Sequence, residues 1–300
     1  MSFFETYISM KKSSSKKLHV ISDDELCELQ KISLDIAKDI IGICNEEGIP
    51  YMLGGGSALG AVRHNGFIPW DDDLDMNVPR EHIDKLTKAI SAKYKDKYYI
   101  EIPGKTKDYW SSFIQIHKKG TIYKEYNWQK DEHAGIKIDI FPIENTYDGL
   151  LKRVFHGIRV EAGLLAVSCY RFYLWKDDYE EIASGSKKMK FAVMVKSTIG
   201  RLISRDASKI YKRLQDTMSE YKNTGSRYVT MPTGRRHFFG ELYTRRTFMQ
   251  LRQVDFEGEK FTVTGDYDNY LTRLYGDYMS LPQKQNRERH MVVSLDLNEG

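Results

Sequence analysis

The chain has 300 residues, 41% hydrophobic and 29% charged, with a formal net charge of +4. That is enough apolar material for one large core or a core with a substantial appendage, and so modest a charge does not point to nucleic acid as a partner. Three scattered cysteines, Cys27, Cys44 and Cys169, with no Cys-x-x-Cys pair, argue against a zinc site or a disulfide framework and fit a reducing, cytoplasmic setting.

Residues 1–21 read as a flexible basic arm without the pattern of a signal peptide. Ser22 and Glu25 then form a capping-box signature. Leu26, Leu29, Ile32, Ile36, Ile40 and Ile43 follow at spacings of three or four, which predicts an amphipathic helix closed by Gly48. A short apolar strand, Tyr51-Met52-Leu53, runs into Gly54-Gly55-Gly56-Ser57 and a helix over 57–64. Glycine allows close approach of a ligand, and amides at a helix start suit phosphate.

After the turn signal Asn65-Gly66 comes Asp71-Asp72-Asp73-Leu74-Asp75. A strand over 73–78 sets Asp73, Asp75 and Asn77 on one face, with Asp71 extending the row. Two carboxylates at that spacing can share Mg²⁺, and a phosphate-gripping loop beside them points to phosphoryl or nucleotidyl transfer. The plain alternative is a solvated acidic loop. A calcium loop is rejected, because the positions that need Gly and Glu hold Met76 and His82.

Pro79 opens a helix over 80–92, followed by strands at 98–102 and 112–117. A strand at 121–126 is expected to pair with the one before it. Residues 135–142 read as a strand with Ile136, Ile138 and Ile140 on one face and Asp139 on the other. A carboxylate there needs a reason: either it joins Asp73 and Asp75 as a third ligand or a base, or it is exposed, or it pairs with Lys137.

From 150 to 221 the texture is helical. Residues 187–213 carry nine basic residues against one acidic, Asp206, interleaved with apolar ones. Such a segment suits an anionic membrane surface or a solvated helix face. A strand at 227–231, a basic turn Thr233-Gly234-Arg235-Arg236-His237, a hairpin at 254–263, a helix at 266–275 and a polar, basic tail complete the chain. The expected division is the arm 1–21, a catalytic core 22–149, a helical basic insertion 150–225 and a C-terminal part 226–300 packing back on the core.

The run from Leu53 through Gly54-Gly55-Gly56-Ser57 to His64, with Gly66-Phe67-Ile68-Pro69-Trp70 and Asp71 to Asp75, resembles the signature of the LicD family, related to fukutin. Lys137-Ile138-Asp139-Ile140-Phe141-Pro142 is similar to a second block of that family, and Tyr275-Gly276-Asp277-Tyr278-Met279 with the basic tail is similar to its C-terminal end.

The resemblance implies an α+β fold, a DNA polymerase β-type nucleotidyltransferase core with a mixed sheet flanked by helices, here with a helical insertion. It implies a metal-dependent transferase moving phosphocholine, or a related phospho-alcohol, from CDP-choline or another CDP-alcohol. The acceptor would be a sugar hydroxyl of a lipid-linked, cell-surface glycan or teichoic acid precursor. Asp73, Asp75 and Asp139 would be catalytic and, with Asp71, would hold Mg²⁺ or Mn²⁺. Gly55, Gly56, Ser57 and Arg63 would contact the nucleotide phosphates.

Choline favours aromatic faces, so Trp110, Tyr123, Tyr126 and Trp128 are candidates for a cage, with strand packing as the plain alternative, and Arg287 and His290 are candidates for other substrate contacts. The expected location is cytoplasmic, with peripheral contact at the inner membrane face and no nucleic-acid partner. The competing readings are transfer of a nucleoside monophosphate and a non-catalytic glycan- or membrane-binding protein.

Overall fold

Ser22 starts helix α1 (Asp23–Glu47) as its sequence predicts. Its hydroxyl accepts from the Glu25 amide (3.2 Å), and the Glu25 carboxylate accepts from the Ser22 amide (2.7 Å). Gly48 closes the helix in the left-handed region, φ 62. The face bearing Leu29, Ile36, Ile40 and Ile43 is buried in the main core, where each such side chain contributes about 2 kcal/mol. The computed structural model describes residues 18–126, 133–203, 206–287 and 289–297.

Next come β1 (Met52–Leu53), α2 (Gly55–His64), β2 (Asp75–Pro79), α3 (Arg80–Lys93), β3 (Tyr98–Glu101), β4 (Ile114–Lys118), β5 (Ile122–Glu125) and β6 (Lys137–Thr146). The helices α4 (Leu150–Leu174), α5 (Lys176–Ile182), α6 (Lys187–Ile203) and α7 (Ala207–Met218) follow. The last part holds β7 (Tyr228–Thr230), α8 (His237–Gly240), β8 (Leu242–Thr244), α9 (Arg245–Phe248), β9 (Leu251–Phe256), β10 (Glu259–Thr264), α10 (Tyr267–Tyr275) and β11 (Val292–Asp296).

The main sheet runs β1-β2-β6-β4-β3, and β7 and β8 continue from the far end of β6. The β2–β6 pair is parallel and its neighbours are antiparallel, so this is a mixed sheet flanked by helices, compatible with the α+β class. Strand β6 buries Ile138 and Ile140 in the main core. Its other face belongs to a polar row. Asp75, Asp139, Gln115 and Glu101 are successive cross-strand partners across β2, β6, β4 and β3.

Two expectations are corrected. The strand expected at 73–78 begins at Asp75. The residues before it are held by long-range contacts instead of a ladder: Gln30 Nε2 donates to the Asp71 carbonyl (2.8 Å), and Asp72 accepts from the Tyr123 hydroxyl (3.0 Å). Strand β5 does not pair with β4, because β3 and β6 occupy both edges of β4; it pairs with β11. That second strand lies just beyond the stretch 281–290 read from sequence as polar and basic.

The segment 187–213 falls into two helices, α6 and α7. The α4 and α7 helices share a smaller core built from Val160, Val167, Tyr170, Tyr211, Leu214 and Phe238. Arg80 joins these helices to the sheet. Its guanidinium pairs with the buried carboxylate of Glu144 on β6 (Nε to Oε1, 2.7 Å) and donates to Gln215 Oε1 on α7 (3.0 Å).

Candidate active site

The glycine run is bolted to the edge of β2. The Gly54 amide donates to the Asp75 carbonyl (2.9 Å), and the Asp75 amide donates to the Ser57 hydroxyl (2.8 Å). The Gly55 amide donates to the Tyr270 hydroxyl (2.9 Å). Each glycine also makes room for a polar side chain. A Cβ on Gly54 would lie 2.6 Å from Asn77 Oδ1, one on Gly55 2.6 Å from Asp75 Oδ2, and one on Gly56 2.7 Å from Asp71 Oδ2. Gly55 in addition has φ +43. The glycines are therefore required by the polar side chains that lean against them, the Asn77 amide and the Asp75 and Asp71 carboxylates, whatever ligand they admit.

A cavity of about 800 Å³ opens beside this run. It is lined by Asp71, Asp73 and Asp75 and also by Arg63, Arg235 and Arg289, so anionic and cationic groups meet in one cleft. Burial raises the carboxyls of Asp71 and Asp75 well above their ordinary range, and Asp73 adds repulsion to both. Burial pushes Asp73 up to about 6, against the opposing pull of His290. Clustered carboxylates that resist ionisation in this way gain most from a cation.

Asp72 also lines the cavity, but its carboxylate is engaged by β5 and the tail. It accepts from the Tyr123 hydroxyl, from the His290 amide (3.1 Å) and from His290 Nδ1 (2.9 Å). The imidazole thus sits between Asp72 and Asp73, with Nε2 3.8 Å from Asp73 Oδ2. Burial alone would lower its pKa, but Glu125, Asp72 and Asp73 outweigh that and hold it well above the ordinary histidine value.

Asp139 lies behind the cavity, in register with Asp75. It is buried, accepts from Gln115 Nε2 (2.9 Å), and has Lys137 Nζ at 3.8 Å. Lys137 also reaches Glu125 at 2.8 Å. Burial by itself would raise Glu125, yet Lys137 and His290 bring it down to about 2.

Among the described residues, Asp71, Asp72 and Asp73 each bring a carboxylate oxygen within 4.8 Å of the other two. With Asp75 and Asp139 adjacent, the donor set is oxygen only, which suits a hard divalent cation such as Mg²⁺.

Of the residues expected to contact phosphate, Gly56 and Arg63 line the cavity, while Gly55 and Ser57 fasten the loop. Arg63 is held in place by donating to the Tyr278 carbonyl (2.6 Å). His290 also lines the cavity, and the Arg287 guanidinium stacks 3.9 Å from the ring centroid of Trp70, another lining residue.

The proposed aromatic cage is not assembled among the described residues. Trp110 packs against Tyr170, Trp175 and Tyr211 beside the helical core. Tyr126 is buried with Ile182 and Met291 in another cluster. Trp128 lies outside the described residues.

Sequence reasoning left Tyr275 and Arg289 without a site role, and read the basic turn that holds Arg235 as one that could contact phosphate or face water; Arg235 lines the cavity. Arg235 lies 5.4 Å from the ring of Tyr275. Arg289 donates to the Trp70 carbonyl (3.0 Å). The signal for Tyr275 was its place in the last block shared with the family; Arg289 had only the basic tail.

The family described as LicD/FKTN/FKRP, nucleotidyltransferase domain, matches residues 48–159, a span that holds the glycine run, Asp71 to Asp75 and Asp139. That stretch of the chain matches the LicD family. Within its wider relatives, the Lipopolysaccharide cholinephosphotransferase LicD of Haemophilus influenzae is 25% identical over 275 residues, covering 89% of this chain and 96% of that protein. The Ribitol 5-phosphate transferase FKRP of Homo sapiens is 41% identical over 59 residues, 20% of this chain and 12% of FKRP. The LicD domain thus supplies the acidic residues, while Arg235, Tyr275, Arg289 and His290 reach the cavity from beyond it.

Proposed function

We propose that this chain is a metal-dependent phosphotransferase that moves phosphocholine, or a related phospho-alcohol, from a CDP-linked donor to a sugar hydroxyl. The acceptor is a cell-surface glycan or teichoic acid precursor carried on lipid, met at the inner face of the membrane. The observation that carries this reading is the single cleft in which Asp71, Asp73 and Asp75 face the same space as Arg63, Arg235 and Arg289. The names of the LicD and FKRP relatives, a cholinephosphotransferase and a ribitol 5-phosphate transferase, support the class of group moved. A parallel strand pair carrying acidic residues beside a glycine-started helix supports a core of the DNA polymerase β type, with 150–225 as an insertion.

Asp71, Asp73 and Asp75 would hold Mg²⁺ or Mn²⁺, with Asp139 completing the set or taking the acceptor proton. When bound, the cation supplies charge neutralisation for the donor diphosphate and the departing nucleotide. Arg63 and Arg235 bind phosphate oxygens and orient the donor. Gln115 and Lys137 fix the direction of Asp139. Asp72 holds His290 against Asp73 and so seats the tail over the cleft.

The test is titration of CDP-choline, CDP-ribitol, CTP and CDP into the protein, with and without Mg²⁺. Preference for CDP-choline that requires Mg²⁺ supports phosphocholine transfer, and preference for CDP-ribitol keeps the mechanism but changes the donor. Preference for CTP points instead to nucleotidyl transfer, which product mass would verify. Absence of binding favours a non-catalytic role. Arg235→Ala is expected to raise the donor KM about tenfold with a smaller change in kcat, because a charge-assisted hydrogen bond contributes roughly 1.5 kcal/mol. An unchanged KM would remove Arg235 from the donor site.

A further inference from the structure

We infer that α4 and α6 together form a face that docks flat on an anionic lipid surface. Of the nineteen large hydrophobic side chains that are exposed among the described residues, thirteen lie on these two helices, so exposed apolar surface is concentrated there and not scattered. On α4 the row is Leu151, Phe155, Ile158 and Leu165, at helical spacing; on α6 it is Phe191, Val195, Ile199 and Leu202. Leu151 is 85% exposed, Leu202 80%, and Phe155 and Phe191 64% each.

These are not misplaced core residues, because each helix already buries another face. Val160, Val167 and Tyr170 of α4 enter the helical core, and α6 buries Val193, Ser197 and Gly200. The two helices are neighbours. A Cβ on Gly200 would collide with the Cys169 carbonyl, and Lys196 donates to the Ser168 hydroxyl (3.2 Å) while lying 4.5 Å from the Phe172 ring centroid.

The charge selects the occupant. Helix α6 carries Lys187, Lys188, Lys190, Lys196 and Arg201 and no acidic residue. A second copy docked on this face would set those cations against themselves, whereas an anionic bilayer complements both the lysines and the apolar rows. No helix among the described residues is long and apolar enough to cross a membrane, which fits a helix pair lying in the plane of the interface.

This inference rests on the proposed function only for the reason a membrane would be visited. The full-length protein would be sedimented with phosphatidylcholine vesicles, with and without phosphatidylglycerol, at low and high salt. Binding that needs phosphatidylglycerol and weakens with salt is expected. The variant Phe155→Glu/Phe191→Glu/Leu202→Glu should lose at least about tenfold in vesicle affinity, with unchanged melting temperature and unchanged donor titration.

Three results overturn the proposal: equal sedimentation of variant and parent, no sedimentation of the parent, or a dimer in solution that the variant abolishes. The donor titration reads the cleft separately, so a failed membrane test and a failed catalytic reading are distinguishable.

Discussion

Asp73→Ala is expected to lower transfer by at least about a thousandfold, the scale of removing a preorganised electrostatic contact in a catalytic site, while the protein stays folded. It should also raise stability in the absence of divalent cation. The folded state holds the Asp73 proton up to about pH 6, against an ordinary value of 3.8. Between those values the native chain binds more protons than the unfolded chain, so stability falls as pH rises through this window. Above about pH 6 the penalty is complete, on the order of 1–3 kcal/mol, and the alanine variant escapes it.

Thermal melts in chelator from pH 4 to pH 8 would show the variant ahead at the alkaline end and level at the acid end. Adding Mg²⁺ should stabilise the parent by mass action and leave the variant behind. Parental turnover in the variant, or a lower melting point at pH 8 in chelator, would sink the assignment of Asp73.

How much of this site was legible in the sequence follows from the distance over which each feature is decided. The helix α1 is written locally, by Ser22, Glu25, the apolar spacing and Gly48. The acidic group and Asp139 were legible because the shared blocks pointed to one place; strand alternation holds for Asp75 and Asn77 but not for Asp71 and Asp73, which precede β2. The parallel register of Asp75 with Asp139 was not, since periodicity does not say which strands are neighbours. Strand β5 shows the same limit: its partner depended on β4 having no free edge, a property of the assembled sheet. Arg235, Tyr275 and Arg289 reach the cleft from about 180 to 235 residues beyond the glycines, and no local pattern says that they meet there. The glycines were read as space for a ligand, and their geometry adds a second requirement, space for Asp71, Asp75 and Asn77.

That second requirement gives the sharpest separation of site from fold. Gly55→Ala is expected to reduce transfer at least about a hundredfold, the scale of displacing a reacting group by an ångström. The new Cβ would lie 2.6 Å from Asp75 Oδ2, the mobile end of a side chain. The carboxylate moves before the backbone does, so the damage falls on the cation site. The φ of +43 adds about 1–2 kcal/mol of backbone strain.

Gly48→Ala is the control. Its φ of +62 carries similar strain, but nothing lies within 4 Å of the added Cβ. Both variants should melt lower by a similar amount. Only Gly55→Ala should lose turnover and cation affinity, because only there does the methyl group displace a carboxylate. Equal activity in the two variants would mean that the glycine run does not position Asp75.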